Sequence, residues 1–95
     1  MWPFRRRKFR KDGGRTGVIR YACGDRRGEL EWEMLVADFD LVINGDRCRW
    51  TAPEEASMTR QEVRALAQEL ATEMNVRVDL AFSDGSEDVS PQRRL

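Results

Sequence analysis

Histidine is missing from all 95 residues. With it go the commonest general base, the commonest zinc ligand and every catalytic triad built on an imidazole. Cysteine is scarce: Cys23 and Cys48 are too far apart in the chain for a C-x-x-C metal or redox motif. A bridge between neighbouring strands is open to them, set against the reading that both are small apolar residues of a reduced core. No apolar run reaches the ~18 residues of a spanning helix. The basic N-terminus leads into Lys11-Asp12-Gly13-Gly14-Arg15-Thr16-Gly17, where a signal peptide would need an apolar stretch of about 7 to 15 residues. A cytoplasmic protein is therefore expected. A chain of this length makes one domain at most and buries only about 60 to 65% of its unfolded surface, so the core is thin and a separate cofactor domain is not expected.

Charge is plentiful, and it is unevenly placed. The formal net charge is +0, but residues 1–16 hold seven basic side chains against Asp12 alone, which leaves the remainder with an equal acidic excess. A basic leader on an acidic body speaks of partners rather than of fold. Residues 12–17 contain three glycines and no large apolar side chain, so 1–16 reads as a leader and flexible linker, with structure expected from about Val18.

The body, 17–82, follows two periods. Val18 to Cys23 is β-branched and aromatic, and Gly24-Asp25-Arg26-Arg27-Gly28 supplies a turn into a strand over Glu29–Val36, where Leu30, Trp32, Met34 and Val36 alternate with Glu29, Glu31 and Glu33. Phe39, Leu41 and Ile43 share a face in a third run. Asn44-Gly45 signals a hairpin into a short fourth strand, Arg47–Trp50, with Cys48 and Trp50 inward. Thr59-Arg60-Gln61-Glu62 fits the S/T-x-x-E capping box, and Val63, Leu66, Ala67, Leu70 and Met74 follow at helical spacing. Asn75 can end that helix in the left-handed conformation, and Val76, Val78, Leu80 and Phe82 alternate as a last strand. The polar segment 83–95 is expected to be disordered. Each strand has one apolar face and the helix one apolar stripe, which predicts an α+β two-layer sandwich: an antiparallel-rich sheet of about five strands, in the order β-β-β-β-α-β, packed on one helix.

Candidate chemistry is thin. Glu31 and Glu33 lie about 7 Å apart on one strand face, a spacing compatible with acid and base work, but cross-strand Arg20, Arg47 or Arg49 would make them ordinary surface pairs. Asp38, Asp40 and Asp46 do not follow the calcium-loop pattern, and the glycines at 13, 14 and 17 lack the G-K-[ST] ending of a phosphate cradle. No cofactor and no metal is expected, and the body reads as a non-catalytic module that binds another, basic protein. The residues least needed for the fold are the candidate contacts: Asp38, Asp40, Asp46, Glu54 and Glu55, with Trp50 as an aromatic anchor. A second reading belongs to the leader. Trp2, Phe4 and Phe9 interleave with Arg5, Arg6, Arg7, Lys8, Arg10 and Lys11, a recipe for an anionic membrane surface at the inner face of the membrane, or, as a lesser alternative, for nucleic acid.

Glu29-Leu30-Glu31-Trp32-Glu33-Met34-Leu35-Val36, Asp40-Leu41-Val42-Ile43, Trp50 with Pro53 following, the capped helix and the closing Val76-Arg77-Val78 together resemble small bacterial immunity proteins that neutralise a cognate toxin. The resemblance covers 18–82 and leaves the leader outside. It implies a stoichiometric inhibitor with an acidic face and no turnover; the rival reading is a peripheral membrane adaptor docked through the leader.

Overall fold

Alternation carries much of this chain into strands. The computed structural model describes residues 8–12, 14, 16–34 and 41–92. They form a sheet-rich α+β domain of eight strands and one α-helix: β1 (Phe9–Lys11), β2 (Thr16–Cys23), β3 (Arg26–Met34), β4 (Leu41–Asn44), β5 (Arg49–Ala52), β6 (Ala56–Ser57), α1 (Arg60–Met74), β7 (Val78–Phe82) and β8 (Gly85–Val89). The sheet runs β1-β2-β3-β4-β7-β8, with β5 also paired to β3 and β6 to β5. Every pairing is antiparallel except β4 with β7, which is parallel because the helix lies between them in the chain.

The strand count and order differ from the sequence expectation in four places: the two-residue β6, paired with β5, is one, and the other three each have a local reason. First, the leader contributes a strand. Phe9 is 1% exposed and packs against Tyr21 with ring centroids 5.2 Å apart, so β1, which lies before the expected start near Val18, is part of the folded domain. Second, 83–95 is not wholly a tail. Its β8 has only one large apolar residue, Val89, yet it is tied to successive turns of α1. Arg60 and Arg64 hold Asp84 and Glu87. Gln68 donates to the Ser90 carbonyl at 2.7 Å, and the Thr72 hydroxyl accepts from the Gln92 N–H at 3.1 Å. These four helix residues recur every fourth position and so share one polar stripe.

Third, Asn44-Gly45 does not make a hairpin. Asn44 has φ −81° and ψ 90°, whereas the two-residue turn favoured by Asn-Gly needs positive φ. Instead β4 and β5 run in the same direction along one edge of β3. Met34 faces Leu41 and Trp32 faces Ile43, and further along Glu29 faces Arg49 and Gly28 faces Trp50. Between the two pairings the register advances by the three residues of a 3₁₀ turn, Gly45–Arg47, so the expected third and fourth strands are one strand interrupted by a bulge. Gly45 is needed there, because a Cβ at that position would run into the Phe82 ring.

The helix follows its sequence signals closely. The Thr59 hydroxyl accepts from the Glu62 N–H, the Glu62 carboxylate accepts from the Thr59 N–H, and Asn75 closes the helix at φ 54°, ψ 52°. Val63, Leu66, Ala67, Leu70 and Ala71 join Ile19, Leu30, Trp32, Ile43, Val78 and Leu80 in one buried cluster. Alternate strand residues, Arg20, Glu29, Glu31, Glu33 and Asp79 among them, occupy the opposite face of the sheet. No described helix is long and apolar enough to cross a membrane.

Candidate interaction surface

The bulge between β4 and β5 shapes the outer sheet face. It lifts Asp46 and Arg47 beside Glu31 and Glu33 of β3, and with Asn44, Ala81 and Phe82 these residues line an open, polar groove of about 330 Å³. Three carboxylates face one guanidinium. Arg47 reaches Glu31 at 3.4 Å, and Asp46 accepts from the Ser83 N–H at 2.6 Å, which pins the bulge to the β7–β8 turn. Glu33 is exposed and has no ion-pair partner among the described residues. The acidic character continues along its row, since Glu33 faces Val42 and Val42 faces Asp79, two strand spacings or about 10 Å away. Among the described residues no group of three or more carboxylates and cysteines is arranged to hold a metal ion.

The expected contact residues separate on the structure. Asp46 belongs to the groove. Glu54 and Glu55 are exposed in the loop between β5 and β6, away from it. Asp38 and Asp40 lie outside the described residues, as do Trp2, Phe4, Arg5, Arg6 and Arg7. Trp50 is half-buried and engaged within the domain: its Nε1 donates to Glu62 at 3.1 Å, the Arg26 guanidinium lies 4.0 Å over its ring, and Tyr21 meets it edge-on at 6.0 Å. Within the leader, Phe9 is core, and its reading as a membrane or nucleic-acid contact gives way to that. Lys8 pairs with Glu69 at 3.5 Å, Lys11 places its Nζ 4.3 Å over the Trp32 ring, and Arg10 is exposed on β1.

From the sequence, Glu31 and Glu33 read as catalytic carboxylates or surface pairs and not as candidate contacts. Their role in the groove depends on the bulge, and the Asn-Gly signal masked it. The cysteines also part company. Cys23 is exposed and Cys48 is buried, and both are free thiols. Cys48 donates to the Asn44 carbonyl at 3.4 Å, and burial pushes its thiol up to about 12, so it serves packing at the foot of the bulge. Cys23, expected on an apolar face, ends β2 at the hairpin tip.

Comparison with protein families, curated proteins and solved structures finds no match to this chain. Its functional reading therefore rests on this geometry and on the chain's charge pattern.

Proposed function

We propose that this chain is a non-catalytic protein-binding module, a two-layer sandwich in which the helix covers one sheet face and the other face receives a basic partner protein. The observation that carries the reading is the groove: Glu31, Glu33 and Asp46 against Arg47, the one basic residue lining it among the described residues, extended by Asp79. Complementary charge at such a surface accelerates encounter and rejects wrong partners more than it adds affinity. The open, polar form of the groove suits a docking face with exposed carboxylates, onto which lysine or arginine side chains of the partner would settle. The resemblance to immunity proteins extends this to a stoichiometric inhibitor acting in the cytoplasm, which occupies its basic target and turns nothing over.

The test is affinity capture from the native host, comparing the full chain with a Glu33→Lys/Asp79→Lys variant. Both substitutions lie on the outer face, away from the core. The proposal expects one basic protein at about 1:1 with the parent chain and its loss with the variant. Equal recovery with both chains would overturn the groove as the docking surface.

A further inference from the structure

At the other end of the outer face the charge changes sign. The cross-strand register sets Arg10 opposite Arg20, Arg20 opposite Glu29 and Glu29 opposite Arg49, a single row across β1, β2, β3 and β5. Three strand spacings make it about 14 Å long. Arg27 lies on the same face of β3, two residues before Glu29. Part of this charge is balanced internally. Arg49 holds Glu29 through Nε at 2.9 Å and Nη2 at 2.7 Å, and Arg20 leans on Asp12 at 3.6 Å. Arg10 and Arg27 are exposed, and their side chains make no ion pair or hydrogen bond among the described residues.

The pairing of Arg10 with Arg20 is the unusual feature. Like charges directly opposite each other in a sheet are destabilising, and β1 would pair as well with a neutral residue there. An anion laid across the row would relieve the repulsion and engage the guanidinium forks, which suit phosphate oxygens. The surroundings narrow the choice of anion. The aromatic residues adjoining this row, Phe9, Tyr21 and Trp50, alternate away from it. Phe9 is 1% and Tyr21 8% exposed, and the half-buried Trp50 ring is covered by Arg26. Among the described residues, therefore, no ring on this face is presented for stacking on an unpaired base or for settling into a bilayer interface. What remains is a flat, rigid set of guanidinium groups that suits a rigid, densely charged rail.

We propose that the arginine row binds the phosphate backbone of duplex nucleic acid without reading its sequence. Arg10, Arg20 and Arg27 supply about three phosphate contacts, which places the affinity in the non-specific range of about 10⁻⁴ to 10⁻⁶ M and makes it fall steeply with salt. The site is separate from the acidic groove and does not depend on the protein-binding reading.

The test is fluorescence anisotropy of a labelled DNA duplex of about 20 base pairs, titrated with the full chain between about 50 and 200 mM salt. Arg10→Ser/Arg27→Ser should make the slope of log K against log salt shallower by about 1.8, from two lost contacts at about 0.9 each, and Arg27→Ser alone by about half of that. An Arg5→Ser/Arg6→Ser/Arg7→Ser chain should retain the arginine-row dependence. An unchanged slope in the Arg10 and Arg27 variants would overturn the proposal, assigning any binding to the leader. Binding to phosphatidylserine vesicles with none to the duplex would overturn it equally.

Discussion

At Glu62 one carboxylate serves three donors. Oε1 accepts from the Thr59 N–H at 2.8 Å, while Oε2 accepts from Trp50 Nε1 at 3.1 Å and from Arg26 at 3.4 Å. The residue thus joins the helix cap to the aromatic stack at the edge of the core. Glu62→Ala removes the box and leaves the indole N–H without its partner, with an expected loss of about 1 to 2 kcal/mol in urea unfolding. The same contacts set a pH dependence. The Thr59 N–H, followed by the Trp50, Thr59 hydroxyl and Arg26 contributions, holds the Glu62 carboxyl below its ordinary value. Stabilisation from this group is therefore complete above the unfolded carboxylate range, near about pH 4.3, and fades as pH falls through the lowered folded value. Urea midpoints followed from neutral pH into acid should fall less for Glu62→Gln than for the parent; parallel curves would deny Glu62 that role. The cysteines give a further residue-level prediction. Cys23 is exposed and Cys48 is 3% exposed, so a thiol reagent should titrate one fast group in the native protein and two in denaturant. Two fast groups without denaturant would contradict the packing of Cys48.

Elements were legible where the signal was local. Thr59, Glu62, the apolar stripe from Val63 and the Asn75 cap lie close together in the chain, and the helix follows them residue by residue. The strand centred on Trp32 was plain in its alternation, because glutamates mark every second position, but it begins at Arg26, inside the expected turn, and Met34, expected on the apolar face, is 48% exposed. What escaped depends on distant partners. Nothing in Gly-Ser-Glu-Asp-Val announces a strand; β8 forms because Arg64 and Gln68, more than 20 residues earlier, meet Glu87 and Ser90. Phe9 was hidden among basic residues, and only Tyr21 across the β1–β2 ladder gives it a buried place. The acidic groove was illegible for a related reason: its bulge exists because β4 and β5 share one edge of β3, which the local Asn-Gly signal contradicts. Truncations separate these views. A chain starting at Lys8 should retain its cooperative thermal transition. One ending at Phe82 loses β8 with Val89, which is 5% exposed, and should lose that transition in near-ultraviolet circular dichroism; a parent-like melt would show β8 to be dispensable. Phe9→Ala should cost about 3 to 5 kcal/mol, the price of an emptied aromatic site in the core.

Across the whole molecule, charge is sorted over one sheet face. Arg10, Arg20, Arg27 and Arg49 occupy the end near the β2–β3 turn, and Glu31, Glu33, Asp46 and Asp79 the other, so a chain with no net charge presents two surfaces of opposite sign. On the proposed reading a basic partner docks at the acidic end and engages both the rim carboxylates and the bulge. Raising salt should slow association with the captured partner more than it speeds dissociation, as steering by exposed charge requires. The most direct measurement is hydrogen exchange of the full chain with and without that partner. The account predicts slowed exchange over Glu31–Glu33, the bulge Gly45–Arg47 and the adjoining Ser83, with the β5–β6 loop at Glu54 and Glu55 unchanged. Protection confined to that loop or to the leader would contradict it.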